Sequence, residues 1–126
     1  MTNYPRPPAH VAPYVEALGA ETAVRFLLHF GGAELYIAAD PKGNSEVAAV
    51  LGMDAARALS DLARSTYLPR RVPNAKPWLA RYMKVTEGLS HAKIARRLHA
   101  SDVSVRRWIA GLGDHAEPDS GQLALF

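Results

Sequence analysis

A chain of 126 residues with 48% hydrophobic content can bury one compact domain or two small ones, which excludes a large multidomain enzyme. It contains no cysteine, so disulfides and thiolate metal sites are excluded and nothing calls for an oxidising compartment. The net charge of +3 conceals a segregation: residues 65 to 111 carry ten basic and two acidic side chains, residues 1 to 64 five and seven, and residues 112 to 126 none and three. A local surplus of this size suits a polyanionic partner, because neutralising phosphates releases counterions. A plain solvated surface accounts for the charge alone equally well.

Residues 1 to 12 read as a flexible, Pro-rich lead without the apolar run of a signal peptide. Pro13 can start a short helix through Leu18. Gly19 interrupts it, and Glu21 opens a second helix with Ala23, Val24, Leu27, Leu28 and Phe30 on its apolar face. Gly31 and Gly32 end that helix, and Leu35, Tyr36 and Ile37 suit a short strand before the turn-forming run Asp40 to Asn44. Such a strand needs a partner, either Thr66-Tyr67-Leu68 or a second copy of the chain.

The next segment repeats this pattern. Leu18-Gly19-Ala20-Glu21-Thr22-Ala23 is answered by Leu51-Gly52-Met53-Asp54-Ala55-Ala56, and Leu35-Tyr36-Ile37-Ala38 by Thr66-Tyr67-Leu68-Pro69. Two helix-Gly-helix-strand units over residues 13 to 69 are expected to share one core, since neither buries enough apolar surface singly. A basic linker, 70 to 76, then leads to Pro77, where a helix carrying Trp78, Leu79, Tyr82, Met83 and Val85 can begin; Gly88 closes it.

Residues 90 to 111 are the most informative. Ser90 can cap a helix through Leu98, His99 and Ala100 form a short turn, and Ser101 can cap a second helix to about Gly111. Ile94, Ala95, Leu98, Ala100, Val105 and Trp108 supply the inward positions, with small Ala95 allowing close approach of the two helices. This spacing predicts a helix-turn-helix that reads duplex DNA, its second helix in the major groove. The base-reading candidates are Ser101, Asp102, Val103, Arg106 and Arg107, because Arg pairs bidentately with guanine and small apolar groups touch thymine methyls. Phosphate contacts fall to Ser90, Lys93, Arg96 and Arg97, and then to Lys84, Arg70 and Arg71. His99 occupies the turn position where Gly is common, and His tolerates positive φ. The expected fold is therefore mainly α with a short β element: an N-terminal helical dimerisation domain followed by a helix-turn-helix domain at 77 to 111.

With these residues in view, the chain resembles the Mor transcription activator family of Mu-like phages and prophages over roughly residues 11 to 111. The resemblance is carried by Leu18-Gly19 through Phe30-Gly31-Gly32, Leu35-Tyr36-Ile37, Val50-Leu51-Gly52 through Tyr67-Leu68-Pro69, and the helix-turn-helix. Ala38 stands where that family usually has Pro, and Arg64-Ser65 replace the second Gly-Gly. The resemblance implies a homodimer on an imperfect inverted repeat, with Gly31, Gly32, Leu35, Tyr36 and Ile37 in the dimerisation element, and recruitment of RNA polymerase.

The acidic tail, 112 to 126, has the composition of a flexible segment and ends in Gln122-Leu123-Ala124-Leu125-Phe126. Gln122, Leu123, Leu125 and Phe126 resemble the pentapeptide that binds the bacterial DNA polymerase sliding clamp. A tail packed on its own domain and a terminal degradation signal are the competing readings. An adaptor joining DNA to the clamp is thus the alternative function. The five histidines are scattered without metal-ligand spacing, and no phosphate loop, nucleophile elbow or carboxylate pair is present. Neither catalysis nor a cofactor is expected. The expected location is cytoplasmic, at the nucleoid, with no membrane partner.

Overall fold

The computed structural model describes residues 4–37 and 45–111. The chain is mainly helical: α1 (Ala12–Leu18), α2 (Ala20–Phe30), α3 (Glu46–Leu51), α4 (Met53–Ser65), α5 (Lys76–Val85), α6 (His91–Leu98) and α7 (Asp102–Ala110). It divides into two compact units, one formed by Ala9–Ala75 and the other by Lys76 onward together with Met1–Pro8.

In the Ala9–Ala75 unit the sequence repeat is also a repeat in space. Gly19 (φ 81°, ψ 155°) joins α1 to α2, and Gly52 (φ 97°, ψ 163°) joins α3 to α4 in nearly the same conformation. A residue with a Cβ rarely adopts that backbone, which is why the recurring element is glycine. Both amides close back on the helix just ended, onto the Val15 and Ala48 carbonyls. The helices then pack reciprocally, α1 against α2 and α4, α3 against α4 and α2. Four short helices, none long enough to be stable alone, thereby share one core.

That core is filled unequally. Counting from the hinge glycine, Ala23 and Ala56 occupy equivalent buried places, as do Phe26 and Leu59, and Leu27 and Ser60. The first half supplies the larger residues. Tyr14 stacks on Phe26 with ring centroids 5.4 Å apart, and Phe26 meets Phe30 at the same separation. Burial pushes the Tyr14 phenol above its usual pKa, so it stays neutral within the apolar cluster. Each such fully buried side chain contributes about 1.5–3 kcal/mol relative to exposure.

The two halves diverge where their helices end. After α2 the chain turns at Gly31, where an added Cβ would overlap the Leu27 carbonyl oxygen and stand 3.2 Å from the Pro73 carbonyl oxygen. Glycine is required there by close approach. After α4, Thr66 is simply extended.

Three expectations are corrected. The short β element pairs with residues of the basic linker and not with Thr66-Tyr67-Leu68. Glu34 and Arg71 form an antiparallel bridge, flanked by Leu35 N–H to the Arg70 carbonyl and Val72 N–H to the Ala33 carbonyl, both 2.9 Å. The reason lies in the side chains facing inward, since Leu35, Val72 and Ala75 are buried while Tyr36 and Tyr67 are 80% and 87% exposed. Residues 70 to 75 are consequently part of the first unit's structure and not a free linker. Residues 4 to 12 are likewise not a free lead. Val11 is fully buried beside α1. The Pro5 carbonyl accepts a hydrogen bond from the Trp78 indole at 2.9 Å, and Tyr4 lies 6.2 Å from Tyr82 between ring centroids.

Candidate nucleic-acid interface

The unit from Lys76 onward is built on α5, whose Trp78, Leu79, Ala80, Tyr82 and Met83 are buried and against which both α6 and α7 pack. Leu89 N–H closes the chain onto the Met83 carbonyl at 3.1 Å, delivering Ser90 to the start of α6. The Ser90 hydroxyl accepts from Lys93 N–H at 3.2 Å, an N-cap that satisfies one of the amides left orphaned by the first turn. Ile94 and Leu98, four apart, are the buried anchors of α6.

The junction between α6 and α7 is a helix C-terminus of the Schellman type. His99 adopts the left-handed conformation (φ 53°, ψ 48°), its N–H meeting the Arg96 carbonyl at 3.4 Å while Ala100 N–H reaches the Ala95 carbonyl at 3.0 Å. Glycine is usual there, and His99 is the one non-glycine residue of positive φ among those described. Ser101 then caps α7, accepting from Ser104 N–H at 3.0 Å, with the two hydroxyls 3.1 Å apart. Val105 is fully buried and Trp108 half-buried, so α7 sits on its neighbours along a narrow stripe. The Arg81 guanidinium on α5 ties down its far end, Nε donating to the Trp108 carbonyl at 2.8 Å.

The opposite faces are polar and basic. Lys84, Lys93, Arg96, Arg97, Arg106 and Arg107 are all exposed. Arg97 approaches Glu87 at 3.9 Å, and Arg106 Nε bonds an Asp102 carboxylate oxygen at 2.9 Å. Among the described residues Lys84, Lys93, Arg96 and Arg107 make no ion pair. Exposed pairs of this kind are worth about 0–1 kcal/mol to the fold, so the fold does not require these cations. Val103 is 69% exposed on the same outward face of α7 as Asp102 and Arg106. A solvent-facing Val amid charged neighbours adds nothing to the core and leaves its methyls free for contact.

The expected site residues therefore separate. Lys84, Ser90, Lys93, Arg96, Arg97, Ser101, Asp102, Val103, Arg106 and Arg107 fall within one unit. Arg70 and Arg71 belong to the other, where the Arg70 carbonyl and the Arg71 guanidinium hold the strand-like segment. Arg71 Nη1 donates to the Gly32 carbonyl at 2.6 Å, and Nη2 stands 3.8 Å from Glu34. Ser90 and Ser101 act first as helix caps. Gln122, Leu123, Leu125 and Phe126 lie outside the described residues, as does Ala38.

Arg81 escaped the sequence reading: a lone Arg among apolar neighbours resembles any solvated helix residue, and its partner is a backbone carbonyl that has no sequence signature. Among the described residues no cluster of three or more His, Asp or Glu side chains could hold a metal. No helix there is long and apolar enough to cross a membrane. No family model matches the chain, and no curated protein or solved structure matches it.

Proposed function

We propose that this chain is a sequence-specific duplex-DNA-binding transcription regulator, a helix-turn-helix protein whose α7 enters the major groove. The observation that carries this reading is α7 itself: capped at Ser101, anchored through Val105 and Arg81, and presenting Asp102, Val103, Arg106 and Arg107 outward. These are the residue types that read base edges, and they lie next to the unpaired cations of α6, which suit phosphates. The resemblance to Mor activators extends the reading to a homodimer on an inverted repeat that activates phage or prophage genes with RNA polymerase. One short recognition helix offers few base contacts, and twofold pairing doubles them.

The test is titration of labelled duplex DNA at several salt concentrations. A phosphate-contacting regulator loses affinity linearly on a log–log plot, with a slope of about 0.9 per phosphate engaged. It also prefers the DNA upstream of its own operon to random duplex; equal affinity for the two ends the reading. Sedimentation at micromolar concentration is expected to give twice the chain mass.

A second reading rests on Gln122-Leu123-Ala124-Leu125-Phe126. Two apolar anchors and an amide on an acidic tether suit a hydrophobic groove, and an adaptor that joins DNA to the sliding clamp would use it. Pull-down of the clamp by the intact chain, lost in Leu125→Ala and Phe126→Ala, separates this from a regulator that needs no such partner.

A further inference from the structure

Arg106 and Arg107 are adjacent on α7 and both exposed, but their surroundings differ. Arg106 Nε is held at 2.9 Å by Asp102, one turn earlier. Arg107 has no carboxylate partner among the described residues. A bond at Nε occupies one edge of the guanidinium and leaves its end, with one N–H from each terminal nitrogen, as a planar fork. That fork matches the O6 and N7 acceptors of guanine. An unpaired arginine on an exposed helix samples many rotamers and must freeze them on binding. A guanidinium already held by a carboxylate has less freedom to lose. The carboxylate also cancels the long-range pull of phosphates on Arg106, which favours a directional contact over a point-charge one. Val103 lies on the same face, one turn before Arg106, where its methyls can meet the 5-methyl of a neighbouring thymine.

We propose that Asp102 is a positioning residue that makes Arg106 the reader of one guanine in each half-site, with Val103 reading an adjacent thymine, while Arg107 neutralises phosphate. This assignment rests on the duplex-DNA reading above. It divides labour between two residues that their sequence makes look equivalent.

The experiment is selection from a pool of duplexes with a randomised core, using the full-length wild type and the variants Asp102→Ala, Asp102→Glu, Arg106→Ala and Arg107→Ala. The winning site and its guanine-to-adenine derivative are then titrated against salt. For the wild type, the guanine site is expected to be favoured by about tenfold or more. Asp102→Ala is expected to lose most of that preference while its affinity for random duplex stays level or rises, because a negative charge has left the DNA face. Asp102→Glu restores part of it.

Arg106→Ala should abolish the preference and leave the salt slope nearly unchanged, whereas Arg107→Ala should lower the slope by about one and keep the preference. A purely structural Asp102 would depress specific and random binding together, in step with a lowered melting temperature, and that outcome overturns the proposal. An unchanged guanine preference in Asp102→Ala overturns it too, with DNA binding intact. Failure of the wild type to enrich any duplex removes the DNA reading itself.

Discussion

Helices α2 and α7 are similar in length, eleven and nine residues, yet α2 buries Ala23, Val24, Phe26, Leu27 and Phe30 whereas α7 buries Val105 alone. The first is an inward-facing element whose burial holds the repeat together. The second has a single fully buried anchor, three half-buried neighbours in Ser104, Trp108 and Ile109, a serine cap and an arginine tie from α5. Its remaining surface is open and mostly polar or basic, with Val103 exposed among the charges. A helix that gains so little from burial is kept in place by its ends and its neighbours, which leaves the outward residues free to serve something other than the fold.

The sharpest way to break this contrast is to truncate one residue from each helix. Phe26→Ala removes a fully buried ring stacked on Tyr14 and tilted against Phe30 and is expected to cost about 3–5 kcal/mol, seen as loss of the cooperative transition in urea followed by circular dichroism. Val103→Ala, on the exposed face of α7, should change stability by no more than about 0.5 kcal/mol. Similar costs at the two positions would mean that α7 is a core helix after all.

Arg106→Ala and Arg107→Ala carry the second-largest expected effect, and it falls on binding. If α7 reads duplex DNA as proposed, loss of the bidentate base contact in Arg106→Ala amounts to about 1–3 kcal/mol of discrimination, whereas Arg107→Ala weakens binding to all sequences alike, both read by fluorescence anisotropy on labelled duplexes. Thermal melting of the same variants should be unaltered within about 0.5 kcal/mol. A melting change larger than the binding change would return these arginines to the fold.

How much of this could be read from the sequence depended on whether the signal was local. Gly19 and Gly52 announce their hinges because only glycine suits that backbone, and Ser90 and Ser101 announce α6 and α7 because a cap sits next to what it caps. The apolar spacing of Ile94, Leu98 and Val105 gave the inward faces. Illegible were the contacts made by backbone atoms across long separations. The Pro5 carbonyl finds Trp78, 73 residues later, and the Gly32 carbonyl finds Arg71, 39 residues later; a carbonyl is the same in every residue, so nothing in either sequence position marks the partner. The strand partner is hidden for a different reason. Tyr67 resembles Tyr36 in pattern, but pairing followed the buried Leu35 and Val72.

The repeat offers the next test. At Gly52 an added Cβ meets nothing within 4 Å, so Gly52→Ala probes backbone conformation alone. At φ 97° and ψ 163° a cost of about 1–3 kcal/mol is expected, measured by chemical denaturation. No cost would mean that the hinge relaxes, and that the reciprocal packing of the four helices does not depend on it.

A smaller effect sharpens the picture of residues 4 to 8. Trp78→Phe keeps most of the buried ring and removes the donor to the Pro5 carbonyl, for an expected loss of about 0.5–1.5 kcal/mol. Limited proteolysis should then cut near Arg6 faster than in the wild type. An unchanged cutting rate would mean that packing of Tyr4 against Tyr82, and not this hydrogen bond, secures the segment.

The smallest expected effect is at His99, where the α6 to α7 junction adopts a left-handed backbone with a residue that has a Cβ. Two terms oppose each other in His99→Gly. Relief of the left-handed conformation gains about 1–2 kcal/mol for a typical side chain, less for residues such as His that tolerate it. The freer unfolded chain takes back about 0.4–1 kcal/mol. The net change is a gain of at most about 1 kcal/mol, a rise of a few degrees in melting temperature, with DNA affinity unchanged because the Schellman bonds to Ala95 and Arg96 need only the backbone. His99→Val keeps the strain and adds a β-branch, so it should fall below the wild type. If His99→Gly instead lowers stability, the imidazole contributes a contact of its own, and the junction is held by a side chain as well as by its backbone.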